Sequence, residues 1–217
     1  MSMWSELLDL LYPPRCAFCH RLLRESGATV CRDCLKSLPY TGTQAERGKL
    51  AHVERCLAPL YYENKVRASL HRFKFRQLTG YAGIYSEFMV KCIDENQISC
   101  DIITWAPVSR KRLRRRGYDQ ARLLAEAIAA QVGLPCLPLL EKIRDTEPQS
   151  LQKDDARRKK NAKGAYRCSA PEQAQGKRIL LIDDIVTSGA TLKECARVLR
   201  SAGAGPIVAL TLARKRG

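Results

Sequence analysis

No stretch of the chain approaches the ~20 consecutive apolar residues that a membrane-crossing helix needs, so no span is expected. The first residues, MSMWSELLDLLYPP, carry Glu6 and Asp9 and lack a basic leading segment. They do not read as a secretory signal, and a cytoplasmic location is the expectation. There is no internal repeat and no low-complexity tract, which argues against repeat architectures and disorder. There is also no GxxxxGK[ST] phosphate loop. The nearest approach, GTQAERGKL (42–50), has the wrong spacing and a Leu where a hydroxyl is needed. Aromatic residues make up only 6%, so few rings are available to stack on bases; Tyr118 and Tyr166 are the candidates beside basic segments. Acidic residues are the other scarcity. Thirty-eight Lys and Arg against 22 Asp and Glu leave a net charge of +16. Such an excess favours polyanionic partners, whether nucleic acid, phosphorylated metabolites or an acidic membrane surface, over a merely basic exterior.

In a reducing compartment the 10 cysteines read as metal ligands or core residues rather than disulfides. Four of them stand in CAFC (16–19) and CRDC (31–34), separated by 11 residues. Each CxxC turn aims two thiolates at one tetrahedral ion. Cys16, Cys19, Cys31 and Cys34 therefore form a closed structural zinc site with no position left to activate water. His20, beside Cys19, is a bystander to a complete set, and His52 and Cys56 are outlying candidates. So small a segment has too little core to fold alone, so the metal supplies its folding free energy. TGTQAERGK (41–49) reads as a linker, giving a zinc module over 1–45 and a second domain over 50–217.

Beyond the linker, apolar runs alternate with helical periodicity. ERCLAPLYYE (54–63) suits a strand or strand pair, and VRASLHRFKF (66–75) a helix with Val66, Leu70 and Phe73 on one face. YAGIYSEFMVKCI (81–93) is a helix buried on Ile84, Phe88 and Cys92. DIITWAPV (101–108) is a strand halted by Pro107. DQARLLAEAIAAQVG (119–133) is a helix capped by Asp119, with Leu123, Ala127 and Ala130 sharing a face and Gly133 as its stop. A strand near PCLPLL (135–140), the ILLI strand, a helix over 192–204 and a strand over 206–215 complete the pattern. Strands apolar on both faces and separated by helices imply an α/β fold, a parallel sheet flanked by helices. Ligands of such sheets bind outside the carboxyl ends of the strands.

At one such end stands ILLIDDIVTSGAT (179–191). Two adjacent carboxylates at the mouth of an apolar strand cost free energy unless something meets them. Backbone N–H groups of Thr187, Ser188, Gly189, Ala190 and Thr191, at a turn and helix start, would cradle a phosphate, and Gly189 would permit its close approach. Asp183 and Asp184 would accept hydrogen bonds from the vicinal hydroxyls of a sugar bearing that phosphate, such as ribose 5-phosphate. Competing readings are a Walker B strand, which lacks its phosphate loop, and a receiver-type Mg²⁺ site, which leaves TSGAT unexplained. ILLIDDIVTSGAT also resembles the phosphoribosyl pyrophosphate (PRPP) signature of type I phosphoribosyltransferases. With the four-Cys module, the chain from about Cys16 to the last strand resembles the ComF/GntX family. FKF (73–75), PVSRKRLRRRGYDQA (107–121) and the spaced residues Arg144, Thr146, Gln149, Leu151, Arg157, Asn161, Ala165 and Tyr166 add to the likeness.

The resemblance implies a type I phosphoribosyltransferase-like fold. Asp183 and Asp184 would take the ribose 2′- and 3′-hydroxyls and serve as the catalytic pair, and Thr187 to Thr191 would take the 5-phosphate. It implies pyrophosphate bound, with Mg²⁺, by the loop after the first core strand, where Lys111, Arg112 and Arg116 are the candidates. The other cations of that loop, Arg110, Arg114 and Arg115, suit a nucleic-acid backbone, as do Arg157, Arg158, Lys159 and Lys160. The last four lie in a polar connection (142–167) that would correspond to a flap closing over PRPP. The family's association with DNA uptake points to single-stranded DNA and to DNA-import machinery as partners. Three readings follow. The first is a phosphoribosyltransferase acting on an unidentified acceptor. The second is a single-stranded-DNA-binding protein retaining the pocket, and the third is a regulatory sensor acting through a protein partner.

Overall fold

The computed structural model describes residues 13–23, 25, 27–42, 45–76, 78–145 and 162–216. The described residues begin with a tight turn, where His20 N donates to Cys16 O at 2.9 Å, and a short helix α1 (Arg32–Ser37). Next come β1 (Glu46–Arg47), β2 (Arg55–Leu57), β3 (Leu60–Tyr61), α2 (Asn64–Phe75), α3 (Tyr81–Glu95) and β4 (Ile102–Trp105). Then follow α4 (Arg110–Arg116), α5 (Gln120–Val132), β5 (Leu140–Lys142), β6 (Tyr166–Cys168) and α6 (Pro171–Ala174). The chain closes with β7 (Ile179–Val186), α7 (Ala190–Ser201) and β8 (Ile207–Arg214). The main sheet runs β1-β2-β8-β7-β4, with β3 joining β8 beside β2; only β1 is antiparallel.

The central strand β8 is buried at all eight positions, as a parallel strand covered on both faces must be. One apolar cluster covers one face with α2, α3 and α5; a second covers the other with α7. The first cluster does not stop at the linker. Cys16, Ala17, Phe18 and Leu38 share it with Val66, Phe73 and Tyr85. Phe18, 1% exposed, meets Phe88 edge-to-face at 5.5 Å and Tyr85 at 5.8 Å. Phe18→Ala is expected to cost about 3–4 kcal/mol of the stability of the whole chain. A urea titration followed by tryptophan fluorescence checks this, since the two tryptophans include Trp105 in the parallel sheet. With Trp4→Phe in place so that Trp105 alone reports, a loss confined to the module would show no shift.

Several expectations about faces need correction. On α3 the buried residues are Tyr85, Met89, Cys92 and Ile93, with Ile84 and Phe88 only half-buried. On α5 they are Leu124, Ala125, Ile128 and Ala129, whereas Ala130 is exposed. In both, the core packs against the neighbouring stripe of the same helix, since either of two adjoining apolar stripes can dock. PCLPLL makes only a single parallel bridge, Ile103 to Cys136, before β5 begins, since Pro135 and Pro138 bring no N–H to a ladder. The ILLI strand continues through both aspartates to Val186.

Candidate functional site

The largest correction concerns PVSRKRLRRRGYDQ, expected as a loop. Residues 110–116 form the helix α4, started by Ser109, whose Oγ accepts from Arg112 N at 3.4 Å, and stopped by Gly117 at φ 83°. Asp119 ties the segment down. One carboxylate oxygen accepts from Val108 N at 2.9 Å, and the other caps α5 through Ala121 N and Arg122 N. A helix sorts its cations by face. Arg112 and Arg116, one turn apart, point into a cavity of about 380 Å³. Arg110, Lys111 and Arg114 line a second cavity of about 330 Å³, and Arg115 is exposed. Lys111 is thus not brought to the cavity that holds Arg112.

The first cavity opens where β4 stops. Trp105 is opposite Ile182, and Ala106 N closes the pairing on Ile182 O at 2.9 Å, so Asp183 and Asp184 continue past the neighbouring strand. Both line the cavity, together with Thr187 and Thr191; Ser188, Gly189 and Ala190 do not line it directly. Strand alternation sends the two carboxylates to opposite sides. Asp184, 8% exposed, forms an ion pair with Lys74 of α2. Asp183 faces Lys142 and Tyr166. Burial, and then the charge of Asp184, push the Asp183 carboxyl well above the usual carboxylate range. Gly189 takes φ 76° ahead of α7, and a Cβ there would meet the Leu50 side chain at 2.8 Å. The glycine serves a left-handed turn and leaves room for the Leu50 side chain. The first N–H groups of the 12-residue α7 still carry the positive end of its dipole toward the cavity wall at Thr191.

Sequence reasoning missed several cavity residues. Arg67, Lys74, Lys142 and Lys215 join Arg112 and Arg116, giving six cations around two carboxylates. Lys74 lay inside FKF, noted only as a resemblance; the rest carried no local signal, since each comes from a different element. Burial, helped by the charge of Arg112, brings Lys142 down to about 8, and its ammonium stands 5.0 Å from the Tyr166 ring centre. Gln120 is also new. It is 2% exposed, and its Oε1 accepts from Arg116 Nη1 at 2.8 Å, which leaves Nε2 without a hydrogen-bond partner among the described residues. Arg116 Nε is likewise unfilled, while its guanidinium lies 5.1 Å from the centre of the Phe75 ring. Of the base-stacking candidates, Tyr166 is buried with its hydroxyl on Thr191, and Tyr118 is half-buried and donates to Phe73 O. Lys142 and Tyr166 are paired in the antiparallel β5–β6 ladder, which forms the base of the 142–167 connection. Arg157, Arg158, Lys159 and Lys160 lie outside the described residues.

The four ribbon thiols gather at one point. Cys16, Cys19, Cys31 and Cys34 have their Sγ atoms within 4.8 Å of one another, and Cys19 and Cys31 are 3.7 Å apart. A tetrahedral ion with bonds of ~2.3 Å needs sulfurs roughly 3.8 Å apart, so the donor set fits structural zinc. Burial alone would raise the Cys19 thiol, but hydrogen bonds with Arg21 hold it at about 6; burial and the neighbouring thiols push Cys34 up. Such a cluster is short of positive charge, which a dication supplies. His20, His52 and Cys56 are not part of this group.

Two family models match the chain. Residues 7–46 match the double zinc ribbon domain, and residues 119–217 match the phosphoribosyl transferase domain. The chain is 27% identical over 210 residues to the DNA utilization protein YhgH of Escherichia coli K12, covering 92% of this chain and 89% of that one. It is 29% identical over 207 residues to the competence protein ComFC of Bacillus subtilis, covering 92% and 77% respectively. To competence protein F of Haemophilus influenzae it is 26% identical over 223 residues, covering 92% and 96%. Over most of its length the chain is thus similar to the DNA utilization and competence proteins, with a double zinc ribbon ahead of a phosphoribosyl transferase domain. Its fold is that of a type I phosphoribosyltransferase behind a zinc ribbon. Among the described residues this ribbon presents one four-Cys set.

Proposed function

We propose that the cavity binds a ribose 5-phosphate bearing a diphosphate, PRPP or a close analogue, in a cytoplasmic protein that handles DNA. The observation that carries this is the convergence of two unfilled, buried donors, Arg116 Nε and Gln120 Nε2, with a destabilised carboxylate, Asp183, on one cationic cavity. A polyanion that also carries hydroxyls answers all three: its oxygens take the donors and its hydroxyls donate to the carboxylates. Asp183 and Asp184 would fix the ribose from two sides. The start of α7 with Thr187 and Thr191 would receive the 5-phosphate, and Arg112 with Arg116 the diphosphate. Mg²⁺ would arrive held by diphosphate oxygens, because Asp184 is already paired with Lys74. The six cations would stabilise a leaving diphosphate if transfer to an acceptor occurs.

Calorimetric titration of PRPP with Mg²⁺ into zinc-loaded protein tests the reading; no saturable binding overturns it. A pH series sharpens the test. Lys142 loses its charge as pH rises through about 8, so affinity for the anion should fall between roughly pH 7.5 and 9. Lys142→Arg, which stays protonated throughout, should flatten that fall.

A second reading is supported by the other face of α4. Arg110, Lys111, Arg114 and Arg167 line the second cavity with Glu141, which pairs with Arg110 at 3.0 Å and Arg167 at 2.6 Å, and with Asp145; the cations outnumber the carboxylates there and suit a single-stranded DNA backbone. The relatives' names, DNA utilization and competence protein, favour DNA as that polyanion, with import machinery as a further partner. Arg110→Ala/Arg114→Ala should lower the salt slope of oligonucleotide binding by about 1.4, roughly 0.7 per contact, with PRPP affinity unchanged. An unchanged slope would move the DNA contact elsewhere.

A further inference from the structure

One helix grips the zinc ribbon with one side of its last turns and the ribose cavity with the other. Ser69 Oγ of α2 donates to Ala17 O, in the middle of the Cys16–Cys19 turn. Arg72 Nη2 donates to Ala17 O at 3.0 Å and to Phe18 O at 2.6 Å. Two residues on, Lys74 pairs with the buried Asp184. Phe75, the last residue of the helix, lies against Arg116, and Phe73 O accepts the Tyr118 hydroxyl. The carbonyls of Ala17 and Phe18 present adjacent acceptors only while the Cys16–Cys19 turn keeps its shape. That turn belongs to a small segment whose shape depends on its metal.

We propose that Arg72 is a positioning residue that links the metal state of the four-Cys cluster to the ribose cavity. With the metal bound, the turn fixes the Arg72 guanidinium, the guanidinium fixes the last turn of α2, and that turn sets Lys74 against Asp184. Val66, Leu70 and Phe73, fully buried, keep the helix docked when the turn loosens, so the change is confined to its end. Asp184 is then a buried carboxylate without its cation, and the cavity loses both order and positive charge. Coupling of this kind is reciprocal: whatever binds against Asp184 should also slow metal release. That consequence rests on the ribose-phosphate reading; the link between Arg72 and Lys74 does not.

The test is a lysine-acylation footprint read by mass spectrometry, with no ligand present. Zinc-loaded protein, protein stripped by a chelator, Arg72→Ala and Arg72→Lys are compared. Alkylation of Cys195, fully buried on α7, serves as the control for an intact fold. Expected is a rise of roughly tenfold in Lys74 acylation on stripping and in zinc-loaded Arg72→Ala, with Cys195 still protected. Arg72→Lys, which keeps the charge but is shorter and lacks the planar, fixed head, should give an intermediate rate. Should stripping expose Cys195, or should Arg72→Ala lose its zinc, zinc-loaded Arg72→Lys decides. Lys74 acylation at the wild-type rate in a zinc-loaded Arg72 variant overturns the proposal, whatever the cavity binds. A second arm follows zinc release with and without ribose 5-phosphate, once titration has shown that it binds zinc-loaded wild type: slower release in wild type that is lost in the Arg72 variant supports the link, and equal slowing in both argues against it. Titration of ribose 5-phosphate into zinc-loaded wild type reports separately on the ribose reading.

Discussion

Asp183→Asn is expected to make the protein more stable while destroying its affinity for ribose phosphates. The Asp183 carboxyl is raised in the fold, by burial first and by Asp184 second. The folded chain therefore holds a proton that the unfolded chain releases, and stability falls as pH rises from the unfolded carboxylate range toward that raised value. At neutral pH Asp183 weakens the fold. Asparagine keeps the shape, and still offers an oxygen to Asp184 N, which now donates to Asp183 Oδ1 at 2.8 Å. A gain of about 1 kcal/mol, or ~2–4 °C in melting temperature, is expected at pH 7 and should vanish near pH 4. Affinity should drop about 100-fold, because the charge-assisted hydrogen bonding of Asp183 to the sugar is lost. Asp184→Asn should behave differently. It leaves Lys74 without its partner and is expected to lower stability as well as affinity. Thermal melts from pH 4 to 8 beside PRPP titrations separate the two. A falling melting temperature in Asp183→Asn with binding intact would make Asp183 a structural residue and remove the centre of the proposed site.

Cys31→Ser is expected to have the larger effect on stability. It breaks a set whose four sulfurs lie within 4.8 Å of one another. The ribbon's core is shared with α2 and α3 through Phe18, so its loss reaches the parallel domain. A cost of about 3–4 kcal/mol corresponds to a melting temperature lower by roughly 10 °C, together with loss of bound zinc by atomic spectrometry. His20→Ala should leave both unchanged, because His20 lies outside the cluster. Zinc retained at full stoichiometry in Cys31→Ser would mean that another residue completes the site.

The sequence by itself determined what depends on short-range order. Two CxxC turns announce a tetrahedral site because a turn of that length aims both thiolates at one point. Alternating strands and helices follow from apolar period, and the strand entering Asp183 and Asp184 is legible because uncompensated carboxylates beside an apolar run are costly. The cap at Asp119 and the stop at Gly133 were equally plain, since each is a local answer to orphaned backbone groups. Only the tertiary structure decided the rest. Six charges in seven residues read as a loop; capping by Ser109 and Gly117 made them a helix, and a helix divides Arg112 and Arg116 from Lys111 and Arg114. Lys74, Gln120 and Lys142 come from α2, α5 and β5, and no sequence window contains them together. Which stripe of α3 and α5 is buried depends on the partner helix, since a helix with apolar residues on two adjoining stripes can dock by either. The hold of Arg72 on the zinc turn is of the same kind: it spans 54 and 55 positions of chain, a distance that only the packing of α2 between ribbon and sheet brings to hydrogen-bond length.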